Sequence, residues 1–267
     1  MLLSEAGELG LLRELESRGL IVGTEHDAAE LADGLVVTQD ALVEGVHFRL
    51  DWISWRELGF RAAAVNISDL SASAARPEAL LVTLAAPGDL QVESVLELYE
   101  GISETGVTVV GGDTTRADKI FVTVTALGRS ERVPGRAGAR PGDLVVVTGR
   151  LGAAGAAFRE QRYVRPPIRT EEGLRLGREA TAMLDVTDGL GADAAHIAER
   201  SGCRLAIDVA AVPCAGTIDD LSFGEDFELL ATLPSTSLLL GEFAVIGRCE
   251  EGQGVSPPEL RGYEHFA

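Results

Sequence analysis

The apolar residues of this chain come in short runs, each interrupted within a few positions by Gly, Asp or Pro. No run approaches the ~18 consecutive apolar residues that a membrane-spanning helix needs, so no membrane partner is expected. Short apolar runs suit buried strands, and here they alternate with longer stretches of helical periodicity. With 46% hydrophobic residues among 267 there is enough apolar side chain for a real core, which excludes wholesale disorder.

Helical spacing runs over 5–18, over 55–74 (Leu58, Ala62, Val65, Leu70), over 91–104 (Val95, Leu98, Ile102), and over 151–160, 170–181 and 190–200. Strands are expected at 35–38 running into Gln39-Asp40, at 80–86, at 107–110 ending on Gly111-Gly112-Asp113, and at 120–126. Further strands are expected at 144–148, 183–186, 205–209 and 227–233. The stretch PGRAGARPGD, residues 134–143, is rich in turn formers and marks a boundary. The pattern predicts an α/β (α+β) chain in two domains, 1–137 and 138–267.

A net charge of −19 makes a polyanionic partner unfavourable, so nucleic-acid binding is not expected. The first twenty residues carry Glu5, Glu8, Glu14 and Glu16 with no basic n-region, unlike a signal peptide, and a cytoplasmic chain is expected. Cys203, Cys214 and Cys249 lie far apart without a CxxC, which suits small core residues in a reducing compartment. Lys119 is the only lysine, and GxxxxGK[ST] is absent, so no P-loop is built here. No GxGxxG follows a strand, which counts against a Rossmann dinucleotide site. His26, His47, His196 and His265 show neither HxxxH nor HExxH spacing.

Acids stand at the ends of apolar runs. Asp40 follows LVVT, Asp69 closes AAAVNISD, Asp113 follows VTVVGG, Asp185 and Asp188 bracket a tight turn, and Asp27 precedes Ala28-Ala29. Single Asp residues at such places are often turn formers or helix caps. Several delivered to one sheet edge would repel one another unless cations neutralised them. Hard cations with oxygen ligands are the natural partners, and Mg²⁺ takes one or two carboxylates plus phosphate oxygens and water. The pattern therefore predicts a phosphate site with several Mg²⁺ ions. Gly111-Gly112-Asp113-Thr114-Thr115 adds glycines that let backbone N–H groups approach an oxyanion, and Arg136 could clamp a phosphate.

Six segments together resemble the thiamine-monophosphate kinase family, within the superfamily that includes aminoimidazole ribonucleotide synthetase. They are VTQDALVEGVHF (37–48), AVNISDL (64–70), VGGDTT (110–115), GARPGDLVVVTG (138–149), MLDVTDGL (183–190) and FGEDFEL (223–229). VEGVHF followed by the NISD segment is the specific part; GGDTT and DxxDGL are shared more widely. The resemblance spans residues 20–265 and implies a two-domain PurM-like fold. Its N-terminal α/β domain would pair with a twin into a dimeric β-barrel-like sheet, and a C-terminal α/β domain would follow. ATP and several Mg²⁺ ions would lie between the domains.

Carried over residue by residue, the resemblance implies Asp27, Thr38, Asp40, Asp69, Asp113, Asp185 and Asp188 as magnesium ligands. Tyr99, Gly112, Asp113, Arg136 and Thr187 would face ATP; His47, Glu225 and Tyr263 would contact thiamine monophosphate. No covalent nucleophile is implied; Asp40, Asp113 and Arg136 would position the reactants. The chain departs from the family at His26, where an acid usually precedes Asp27, at Gln39, where Thr is usual, and at Phe223 and Phe227. It also looks shorter between Thr148 and Arg169 and after Leu233. Two alternatives remain open: an amidine-ligase-type enzyme of the same superfamily, or a nucleotide-binding homologue without catalysis.

Overall fold

A computed structural model describes residues 2–22 and 26–263, without the side chains of Leu3, Ser4, Glu8 and Leu9; His265 lies outside the described residues. Two sheets carry the architecture. The first joins β1 (Ala29–Glu30), β2 (Leu35–Val43), β5 (Phe121–Arg129), β3 (Arg76–Ala86) and β4 (Val109–Arg116) in that spatial order. The second joins β11 (Gly254–Ser256), β8 (Arg204–Ile207), β10 (Ala244–Glu250), β6 (Leu144–Val147), β9 (Leu229–Leu233) and β7 (Ala182–Asp185). Turn-rich residues 134–143 run between the last strand of the first sheet and the first strand of the second.

In the first sheet β2, β5 and β3 pair antiparallel, and β3 pairs parallel with β4. The parallel pair needs a crossover, and α3 (Val92–Ser103) supplies it. Val36, Leu42, Leu80, Val82, Leu84, Val122 and Val124 point from these strands into a core shared with α2 (Trp55–Ala72) and α3. The two helices meet backbone to backbone. A Cβ on Gly59 would fall 1.8 Å from the Leu98 carbonyl oxygen, and one on Gly101 equally close to that of Arg56.

The Ser54 hydroxyl caps α2 by accepting the Glu57 N–H. The helix is buried nearly all round, which is why it is built from Ala, Ser, Val and Gly rather than as a one-faced amphipathic helix. Its first turns pack on the first sheet. Its end, at Ala72 and Ala74, packs on Met183, Leu229 and Ala231 of the second sheet. One helix thus fixes the two sheets relative to each other.

The second half encloses its own core between its sheet and α6 (Leu190–Ser201), with Cys203 and Cys249 buried in it. The short helix α5 (Thr170–Leu176) packs on α2, α4 (Ala153–Arg159) packs on the turn Ile218–Ser222, and α1 (Leu3–Ser17) is broken by Gly7 at φ 65°.

The elements expected from the sequence are present, with three differences that bear on the site. β2 continues to Val43, so Asp40 lies within a strand rather than at its end. β4 begins at Val109 and runs through Arg116, so Gly111-Gly112-Asp113 is strand and not loop. The reason is steric: Gly112 sits at φ 145° where a Cβ would be 1.8 Å from the Val82 carbonyl oxygen, so the glycine lets β4 pair closely with β3. Helix 170–181 stops at Leu176.

Candidate active site

A cavity of about 550 Å³ opens where β2, the second half of α2, the β7–α6 turn and residues 223–227 converge. Eleven predicted residues line it: Asp27, Thr38, Asp40, His47, Asp69, Arg136, Asp185, Thr187, Asp188, Glu225 and Tyr263. Three do not. Gly112 and Asp113 are exposed on the edge strand β4, and Tyr99 lines a second hollow with Ser103 and Val107.

The acids arrive from separate elements. Asp40 comes from the middle of β2, and its N–H donates to Asn66 Oδ1 at 2.9 Å. Asn66 in turn donates to the Ala62 carbonyl within α2, so Asn66 clamps strand to helix. Asp69, one turn further on, accepts a hydrogen bond of 2.6 Å from Thr38 Oγ1. Asp185 ends β7 and accepts from Ser68 Oγ. Asn66 and Ser68 were not predicted as site residues. Their place in the quoted AVNISDL segment, one helical turn from Ala62 and one residue from Asp69, was the available signal.

Asp27 accepts two hydrogen bonds from Arg136, Nε at 2.9 Å and Nη2 at 2.6 Å, both on Oδ1. The Thr187 and Asp188 N–H groups donate to Asp193 Oδ2 at 3.0 and 3.1 Å. Asp193 thereby shapes the turn that presents Asp188.

These carboxyls are electrostatically unhappy. Burial, then the neighbouring Asp27, push Asp185 up to about 8, against the pull of Ser68 and Arg136. Burial and Asp27 raise Asp40 to about 6. Asp69 stands well above the carboxylate range through burial and through Asp40, Asp185 and Asp27. Asp27 is raised by burial even with Arg136 beside it. Among the described residues no three acidic or imidazole groups already close on one point as a finished cage. The donor set is nevertheless hard oxygen throughout, and a divalent cation sharing these carboxylates with phosphate oxygens and water would relieve their repulsion. Asp27, Asp40, Asp69, Asp185 and Asp188, with the Thr38 hydroxyl, are the groups that could hold such ions.

His47 turns back on its own strand: its Nδ1 accepts the Val43 N–H at 3.1 Å, so the neutral ring carries its proton on Nε2. The opposite wall was not predicted. Arg61, Phe158, Tyr163, Phe223 and Phe227 line it, with Trp52 edge-on to Phe158 at 5.4 Å and Phe158 tilted on Phe223 at 4.9 Å. Scattered aromatics on four segments leave no periodic trace in a sequence.

Residues 25–130 match the family described as AIR synthase related protein, N-terminal domain. Fold, acid-lined cavity and this match together place the chain among AIR synthase related proteins. The particular family follows from full-length relatives. The thiamine-monophosphate kinase of Aquifex aeolicus is 33% identical and the match covers all of both chains. That of Pyrococcus abyssi is 32% identical over 87% of this chain and 86% of its own. A solved structure described as AaThiL complexed with AMPPCP and TMP superposes with a TM-score of 0.91 at 33% identity, covering 99% of each chain. The chain belongs to the thiamine-monophosphate kinase family and is a kinase. The Aquifex alignment runs over 309 positions against 267 residues here, so that relative carries segments this chain lacks.

Proposed function

We propose that the chain transfers the terminal phosphoryl group of ATP to thiamine monophosphate, giving thiamine diphosphate, with Mg²⁺ ions held by Asp27, Thr38, Asp40, Asp69, Asp185 and Asp188. The observation that carries this reading is the convergence of buried, mutually repelling carboxylates on a cavity whose other wall is aromatic. The bound ions would supply charge neutralisation on the phosphates.

The chain's own groups do the rest. The acceptor phosphate already bears an ionised oxygen, so no strong general base is needed, and among the described residues the cavity is lined by no Ser–His or Cys–His nucleophile pair. Arg136, fixed by Asp27, presents a guanidinium at the cavity, and Thr187 presents its hydroxyl from the β7–α6 turn. His47, with its proton on Nε2, offers a donor to the acceptor, alongside Glu225 and Tyr263. Catalysis then rests on in-line positioning and preorganised charge.

Asp113, Gly112 and Tyr99 remain in the proposal through a second copy. The edge strand β4 exposes Val110, Gly111, Gly112 and Asp113, and β3 beside it exposes Leu81. A homodimer pairing through this face would carry Asp113 of one chain toward the cavity of the other. Without a second copy Asp113 has no access to the phosphates.

A coupled assay of thiamine diphosphate formation with ATP and Mg²⁺ tests the activity. Transfer by the wild type and its loss in Asp40→Asn are expected; a silent wild type would refute the kinase reading for this chain. Mixing Asp113→Asn with Asp40→Asn protein tests the shared site: partial recovery of activity is expected, and none would show that Asp113 acts within its own chain or not at all.

A further inference from the structure

Arg61 is the one strongly basic side chain in the buried interior of α2. Its side chain is 3% exposed, and Nη2 donates to Glu225 Oε1 at 2.7 Å. The guanidinium carbon stands 5.4 Å from the ring centre of Tyr163 and 5.7 Å from that of Phe227. Its Nε has no hydrogen-bond partner among the described residues. A pair kept only for stability would be poorly designed. Burying a guanidinium with an orphaned N–H costs about 1–3 kcal/mol, and apolar side chains of similar volume commonly serve better.

Glu225 is itself held in an unfavourable backbone. Its φ is 56°, next to Gly224 at 84° and before Phe227 at 53°. Non-glycine residues adopt this region only when surrounding structure imposes it. Here the Glu225 N–H donates to the Thr187 carbonyl and the Phe227 N–H to that of Val186, which ties the turn to the metal-facing β7–α6 segment. The Glu225 side chain is 29% exposed, on the cavity side of the ion pair.

We propose that Arg61 is a positioning residue for the acceptor. Through its ion pair it aims the Glu225 carboxylate across the aromatic wall. The ring end of the acceptor would sit between these groups, an amino N–H donating to Glu225 and a cationic ring face resting on Tyr163 and Phe158. Both elements favour positive charge, the carboxylate by Coulomb attraction and the rings by their quadrupoles. Phosphates on aliphatic chains gain neither, and neutral bases lack the positive charge that both elements favour. This inference rests on the kinase reading for the phosphate end of the acceptor, but it concerns the ring end.

The test uses the full chain, compared as wild type, Arg61→Met, Glu225→Gln and the double variant. It reads KM for thiamine monophosphate and for ATP, and calorimetric Kd for thiamine monophosphate and for uridine monophosphate in the presence of Mg²⁺. Arg61→Met is expected to raise KM and Kd for thiamine monophosphate about tenfold, the equivalent of one charge-assisted hydrogen bond. KM for ATP should stay unchanged, and the double variant should be no worse than Glu225→Gln alone. Acceptor and ATP parameters rising together, effects that multiply in the double variant, or equal wild-type affinity for uridine monophosphate would each overturn the proposal. If the wild type binds thiamine monophosphate without turning it over, the kinase reading falls while calorimetry still decides the role of Arg61. Should Arg61→Met not fold, Arg61→Lys and Tyr163→Leu take its place, with the same selective loss of acceptor binding expected.

Discussion

The two walls of the cavity solve the same problem in opposite ways. On the acid wall Asp27, Asp40, Asp69 and Asp185 are gathered with a single arginine, Arg136, among them, and their proton affinities rise accordingly. On and behind the aromatic wall the acids have their own partners. Glu225 pairs with Arg61, and Glu228 takes Arg169 through two N–H groups at 2.7 and 2.8 Å plus the Thr148 hydroxyl at 2.6 Å. Asp226 accepts the Gly152 N–H at 2.7 Å and secures the start of α4, which carries Phe158. One wall is finished by the chain alone; on the other, the proposed cations would complete the set.

The contrast predicts different consequences for removing charge. The largest effect is expected on the acid wall: Asp69→Asn should lower phosphoryl transfer by roughly 10²-fold or more, as loss of an electrostatic stabiliser of the transition state does. The same variant should melt no lower than the wild type without divalent ions, because it removes repulsion. A large drop in melting temperature would break the comparison. On the aromatic wall the sign reverses. Arg169→Met leaves Glu228 buried and unpaired, which should cost about 3–5 kcal/mol of stability by chemical denaturation. A neutral result there would mean that Glu228 is not held as the structure indicates.

A smaller effect lies in pH. Asp226, 6% exposed, is pushed by burial up to about 6 although three backbone N–H groups pull it down. A carboxyl whose folded pKa exceeds its unfolded value binds a proton in the folded state that the unfolded chain has already released. Its contribution to stability is therefore full below about pH 4 and declines as pH rises toward 6, by on the order of 3 kcal/mol. Asp40 acts in the same direction up to about 6 and Asp185 up to about 8. The cation-free protein should lose stability steadily from pH 4 to 8, and Asp226→Asn should flatten the lower part of that slope. Stability rising over this range would contradict the shared burial of these acids.

The acid wall was legible in the sequence and the aromatic wall was not. Asp40, Asp69, Asp185 and Asp188 stand out because charge beside apolar runs has few structural excuses, and the AVNISDL and MLDVTDGL segments place them on recognisable elements. Phe158, Tyr163 and Phe223 are isolated aromatics in stretches without periodicity, and only tertiary packing assembles them. Arg61 was hidden inside a helix pattern, where an arginine reads as a solvated face until its burial is seen. Element positions up to residue 233 were readable because helical and strand periods survive in local sequence; β10 and β11 beyond it were not expected. The lengths of β2 and β4 were not, because pairing with β5 and β3 extends them through polar residues and glycines.

The central claim, that the acid wall is incomplete until divalent ions join it, is tested most directly by thermal melting at pH 8 with and without Mg²⁺, in the wild type and in Asp69→Asn. The account predicts that Mg²⁺ raises the melting temperature of the wild type by several degrees and that of Asp69→Asn much less. Equal response of the two proteins, or no response of the wild type, would contradict it.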